Sequence, residues 1–191
     1  MKKVSLRERN RLAAMHLVQG TAVAMFEDHG FDDVTIEAVA DQCGVSASTI
    51  FRHFGTKENT VLWDDRDSMI EVQILERLRH QTPVQAFRDA VVFGLAERDD
   101  RDLFLRRLKL IYREPAIWAA AAQQDRIDRG ELARAFAAAG GRGQLELTNE
   151  YVAAACLTAL DVALDYWQRE DGSTALADLV DQAVVAATHL R

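Results

Sequence analysis

Between residues 30 and 57 the chain is interrupted by glycine three times, at Gly30, Gly44 and Gly55, and each glycine is followed within five residues by a hydroxyl residue, Thr35, Ser46 or Thr56. A side-chain oxygen at a helix N-cap accepts from an otherwise unpaired first-turn amide, and a glycine just past the last turn takes the left-handed conformation that ends a helix. The spacing therefore predicts helices over 36–43 and 47–53 and a fourth from Lys57 to about Arg79. Glu37 falls in the first turn of the 36–43 helix, where the dipole favours an acid. Val39 and Ala40 face inward, and Val45 anchors the turn between the two short helices.

A longer helix precedes them. Ser5-Leu6-Arg7-Glu8 has the form of a capping box. Val18, Ala22, Met25 and Phe26 then give an apolar stripe at helical period, and Gly30 supplies the stop. Phe31 and Val34 are expected to fold back onto that stripe.

The rest of the chain also reads as helix. Thr82-Pro83-Val84-Gln85 combines a capping box with proline at the first helical position, so a helix starts there and runs to about Glu97. Others are expected over 101–113, from Pro115 to about Ala139 with a possible bend at Gly130, over 148–169 and over 174–190. Gly140-Gly141-Arg142-Gly143 is the clearest loop. Only two prolines and ten glycines interrupt 191 residues, and 49% of these are hydrophobic, enough for a substantial core. The expected fold is all-α with about nine helices. It divides into an N-terminal three-helix domain over residues 1–56 and a second helical domain over 57–191.

Charge alone points away from nucleic acid, since the net value is −7. Its distribution softens that objection. Residues 1–60 carry seven Lys and Arg against eight Asp and Glu, and Lys2, Lys3, Arg7, Arg9 and Arg11 cluster at the start. Cys43 and Cys156 have no metal or disulfide spacing and fit a reducing compartment. The N-terminus begins with charged residues rather than an apolar signal core, and no apolar run approaches a membrane span, so a cytoplasmic protein without a membrane partner is expected. The five histidines are scattered, which offers no metal site. Asp161 and Asp165, four apart, read as a polar helix face. No nucleophile triad, phosphate loop or acid pair argues for an enzyme, and no cofactor motif is present.

Residues 46–57 carry the chemistry. Ile50 and Phe54 share one helix face and pack inward, which turns Ser48 and Arg52 outward with Thr49 and Phe51 beside them. Such a face fits a major groove: hydroxyls meet base edges or phosphates, and arginine offers a bidentate fork to guanine. His53 and Lys57, at the end of one helix and the start of the next, are placed to hold phosphates.

The run Gly30-Phe31, Val34-Thr35-Ile36, Val39-Ala40, Cys43-Gly44-Val45-Ser46, Thr49-Ile50-Phe51-Arg52-His53-Phe54 and Thr56-Lys57-Glu58 resembles the N-terminal domain of the tetracycline-repressor (TetR) family, over about residues 11–62 without a gap. The resemblance implies DNA contacts from Thr35, Ser46, Thr49, His53 and Lys57; Ala47, Ser48, Phe51 and Arg52 complete the candidate set. Phe51 stands where the family usually has tyrosine and Ser48 where it commonly has glycine, differences that bear on affinity and sequence choice. Cys43 replaces a usual alanine before the turn glycine, where a small buried residue is the simplest reading.

The stretch from Leu103 through Leu110-Ile111-Tyr112 to Pro115-Ala116, with Tyr166-Trp167, is similar to the C-terminal domain of TetR regulators of the mycofactocin-system type. This implies a small-molecule effector of hydrophobic or acyl type. The candidate ligand residues are Phe93, Phe104, Leu108, Ile111, Tyr112 and Trp118. Alanines 153, 154, 155, 159 and 163 suit close packing of the last two helices as a homodimer interface. The expected function is a ligand-responsive repressor that leaves operator DNA when effector binds. A helical small-molecule-binding module, or a transcriptional activator, is the alternative.

Overall fold

The computed structural model describes residues 5–96, 98–141 and 145–188. Lys2 and Lys3 of the basic tail, Glu97, Arg142 and Gly143 of the glycine loop, and His189 and Leu190 lie outside the described residues. Those described form ten α-helices and no strand: α1 Leu6–His29, α2 Ile36–Cys43, α3 Ala47–Phe54, α4 Asn59–Leu62, α5 Asp67–Arg77, α6 Pro83–Ala96, α7 Arg101–Arg113, α8 Pro115–Ala139, α9 Leu147–Arg169 and α10 Leu176–Thr188.

The expected helix from Lys57 to about Arg79 is instead two helices, α4 and α5. The backbone departs at Trp63, whose ψ is 132°, so the count is ten rather than nine. No glycine or proline lies in this stretch.

The helix starts follow the capping residues. Ser5 accepts from the Glu8 amide at 3.1 Å, but the Glu8 carboxylate turns to Arg11 instead of returning to the cap, so only half of that box forms. At α6 both halves form: the Thr82 amide donates to Gln85 Oε1 at 3.3 Å and the Gln85 amide to Thr82 Oγ1 at 3.4 Å. Helix α9 starts one residue before the expected Thr148, because Glu146 caps it reciprocally with Asn149.

By contact the chain groups into two compact units, one comprising residues up to Asp65 together with Asp102–Ala121, the other Arg66–Arg101 together with the residues from Ala122 onward. In the first unit, Met15, Val18, Ala22, Val23 and Phe26 of α1 meet Ile36, Val39 and Ala40 of α2 and Ile50 and Phe54 of α3 in one core. Leu110 of α7 and Ile117 of α8 belong to the same core, so the first unit draws on helices from beyond residue 56. Phe26 and Phe31 meet edge to face at 5.0 Å. Phe31 thereby closes the α1–α2 turn, as expected.

In the second unit α10 packs on α9 and α6, and α5 packs on α6. A Cβ at Gly94 would fall 2.6 Å from Ile70 Cγ1; that glycine lets α5 seat tightly on α6. Ala153, Ala159 and Ala163 are buried within this unit. Three of the five small residues expected at a dimer surface thus serve the protomer's own packing, while Ala154 and Ala155 remain partly exposed. Helix α9 has the length and mean hydropathy (1.2) of a membrane span, but its inner face is core.

Candidate DNA-binding face

Helix α3 is set by its ends. Ser46 Oγ accepts from the Thr49 amide at 3.2 Å and lies 2.9 Å from Ser48 Oγ and 2.8 Å from Thr49 Oγ1. The three hydroxyls form one hydrogen-bonded cluster at the helix N-terminus. Thr35 Oγ1 caps α2 by accepting from the Ala38 amide at 3.1 Å. Between them Gly44 sits at φ 68°, a left-handed position that a side chain strains, and its amide returns to the Ala40 and Asp41 carbonyls. These caps fix the α2–turn–α3 angle.

Burial sorts the candidate residues as the helical spacing requires. Ile50 and Phe54 are buried; Thr35, Ser46, Ser48 and Arg52 are exposed; Ala47, Thr49, His53 and Lys57 are half-buried. Phe51 leaves 45% of its surface exposed on the outer face of α3. The outer face therefore presents hydroxyls at its N-terminal end, one apolar ring in the middle, and Arg52 and His53 in the last turn. There the helix dipole favours cations.

Lys57 has a more specific setting than its position in sequence indicates. Its ammonium donates to the Phe31 carbonyl and lies 4.1 Å from the Phe31 ring centroid and 5.5 Å from that of Phe26. The cation is thus held against the first-unit core at a fixed place.

Two buried polar residues absent from the expected set organise what lies beneath α3. Gln19, 1% exposed, donates its amide to the carbonyls of Thr60 and Trp63 at 3.0 and 2.7 Å. Arg107, 3% exposed, donates Nε to the Val61 carbonyl at 2.7 Å, Nη2 to the Leu62 carbonyl at 3.0 Å and Nη1 to Asp64 Oδ2 at 3.1 Å. Each was detectable as a polar residue on an otherwise apolar helix face: Gln19 lies within the Met15–Ala22 stripe and Arg107 between Phe104 and Leu108. Asn59 Nδ2 donates to the Phe54 carbonyl at 2.9 Å, and the Trp63 ring stands edge-on to Phe54 at 5.8 Å. Helix α4 is thereby joined to the end of α3.

The candidate ligand residues are placed as follows. Phe93 lies on α6 in the second unit, with the Arg77 guanidinium 5.8 Å from its ring centroid. Phe104 and Leu108 are buried on α7, and Ile111 packs against the first-unit core. The Tyr112 and Trp118 rings stand 5.3 Å apart. A separate surface hollow of about 320 Å³ in the second unit is lined by Ala122, Asp125, Arg126, Arg129, Ala154, Leu157, Thr158 and Asp161.

Comparison with known proteins agrees with this geometry. Residues 20–61 match the model of bacterial regulatory proteins of the tetR family, and residues 81–188 match the MftR C-terminal domain. The chain is 24% identical over 167 residues to the mycofactocin biosynthesis transcriptional regulator MftR of Mycobacterium tuberculosis, covering 85% of this chain and 84% of that protein. It is 29% identical over 129 residues to the HTH-type transcriptional regulator TcmR of Streptomyces glaucescens, covering 63% of this chain and 57% of that protein. Among solved structures it is similar to SmeT, the repressor of the Stenotrophomonas maltophilia multidrug efflux pump SmeDEF, at 17% identity and a TM-score of 0.56, over 91% of this chain and 87% of that one. It is likewise similar to Thermus thermophilus FadR in complex with lauroyl-CoA, at 18% identity and a TM-score of 0.55, over 91% and 93%. With a TetR-type head and an MftR-type C-terminal domain, the chain belongs to the TetR family of bacterial transcriptional regulators.

Proposed function

We propose that this protein is a cytoplasmic repressor that binds operator DNA as a homodimer and is released by a small hydrophobic or acyl-type effector. The observation that carries the reading is the outer face of α3, where the Ser46–Ser48–Thr49 hydroxyl cluster and exposed Arg52 stand over a buried Ile50 and Phe54. Hydroxyls and arginine along the outer face of a short helix are the groups that read major-groove edges. Ser48, Thr49 and Arg52 act as base readers, Phe51 adds an apolar contact, and Thr35, Ser46, Ala47, His53 and Lys57 fit the backbone.

The dimer places two α3 helices about 34–36 Å apart, the spacing of successive major grooves. Its surface is the outer face of α9 and α10, where Tyr151, Val162, Tyr166 and Val185 are exposed. The effector class draws support from the lauroyl-CoA complex of the similar FadR and from the aromatic residues Phe93, Phe104, Tyr112 and Trp118, with Leu108 and Ile111.

Selection of binding sites from random duplex DNA, followed by a salt titration of the recovered sequence, tests the reading. A specific complex that weakens steeply with salt is expected. Recovery of no enriched sequence would overturn it. Added lauroyl-CoA is expected to dissociate the complex and raise the melting temperature; no change in either removes the acyl effector and leaves the repressor.

A further inference from the structure

Helix α4 is one turn long, and the four carbonyls at its C-terminal end, those of residues 60–63, are all taken by side chains. Gln19 takes Thr60 and Trp63, and Arg107 takes Val61 and Leu62. In an uninterrupted α-helix those four carbonyls accept from the amides of residues 64–67. Residues 57–79 contain no glycine or proline that would forbid that continuation, although Asp64, Asp65, Asp67 and Ser68 at the junction are weak helix formers. Two buried side chains from α1 and α7 therefore compete with the chain's own amides for the same acceptors, and they win. Arg107 also binds Asp64, which holds the first residue after Trp63 off the helical path.

We infer that Gln19 and Arg107 are positioning residues for operator binding: they hold the break between α4 and α5, and without them residues 57–79 wind into one helix that pulls α4 off α3. The link to α3 is direct. Asn59 holds the Phe54 carbonyl and Trp63 packs on the Phe54 ring, so a shift of α4 moves the end of the recognition helix. The functional half of this inference rests on the operator-binding reading above; the helix-joining half stands without it.

The test uses the full-length protein with Gln19→Met and, separately, Arg107→Lys, which keeps the charge but loses the fork. Two quantities are read: the Cα chemical shifts of residues 63–66 by NMR, and affinity for the DNA duplex recovered by selection. Each variant is expected to move those shifts to helical values and to lose about tenfold in affinity. Arg66→Pro is then added to each. The φ of −85° at Arg66 is near that of proline, and a proline there clashes with the Leu62 carbonyl in a continuous helix. It should restore both the shifts and the affinity. Lost affinity with non-helical shifts, or no rescue by proline, would overturn the inference and leave two residues that only stabilise the fold. If the wild-type protein selects no DNA, the positioning role falls with the operator reading, while the shifts still decide the helix break.

Discussion

Arg107 Nη1 and Asp64 Oδ2 form an ion pair of 3.1 Å in which neither side chain exposes as much as a tenth of its surface. Charges so placed are costly to desolvate, and the pair persists because every polar direction is used: the same guanidinium also serves two backbone carbonyls. Removing one member leaves the other buried without this ion pair. Arg107→Met should therefore destabilise the protein by about 3–5 kcal/mol, read as a lower urea midpoint. The double variant Arg107→Met/Asp64→Leu should recover part of that loss, because it removes the stranded carboxylate.

Arg52 and Lys57 should separate two kinds of DNA contact. Arg52 is exposed on the outer face of α3. Arg52→Ala is expected to cost about 1–3 kcal/mol in specific binding and relax base preference at one position per half-site, with stability unchanged. Lys57 is tied to the Phe31 carbonyl and ring. Lys57→Met should lower the melting temperature as well as weaken all sequences alike. Binding and melting curves on the two variants distinguish these outcomes.

The contrast between these residues shows how far the sequence could be read. The caps Ser46 and Thr35, the glycine stops and the inward pair Ile50/Phe54 are local in cause: neighbours three or four residues away determine them, and they were legible. The α4–α5 break was not, because the side chains that take the carbonyls there, Gln19 and Arg107, are distant in sequence from them. The alanines of α9 were ambiguous for a related reason. Small residues announce close helix packing but not whether the partner helix lies in the same chain, and Ala153, Ala159 and Ala163 are buried within the protomer.

The two thiols should react differently. Burial pushes the Cys156 thiol up to about 12, so almost no thiolate is present at pH 8, and the residue is shielded as well. Cys43 is only half-buried, beside the Gly44 turn. A thiol reagent at pH 8 is expected to titrate Cys43 alone in the native protein and both cysteines in denaturant. Prompt native-state modification of Cys156 would contradict this.

On α8, desolvation, with Asp161 and Asp128 nearby, raises the Asp125 carboxyl above its usual range. A folded-state value above the unfolded one means that the native protein holds the proton more tightly. Its contribution is therefore unfavourable at neutral pH and is relieved as pH falls through the folded-state value. Asp125→Asn should raise stability at pH 7 and remove the stabilisation that protonation of Asp125 adds as pH falls. Urea unfolding between pH 4 and 7 checks it, and a variant less stable at pH 7 would contradict it.

The exposed side of α9 bears on assembly. Tyr151 is 68% exposed and Val162 54%, and Tyr166, one turn beyond Val162, is also open. Residues 151, 158, 162 and 166 fall on one stripe of a helix, on the side away from the buried Ala153 and Trp167. A monomer would leave two tyrosines and a valine of this stripe in water, whereas a second copy related by a two-fold axis covers the same patch on both chains. Val162→Glu places a carboxylate at the middle of the stripe, opposite its own symmetry mate. It should convert the dimer to a monomer by light scattering and abolish binding to a two-half-site operator, while the far-UV spectrum stays helical because the residue lies outside the protomer core. A variant that remains dimeric would move the interface away from this face of α9.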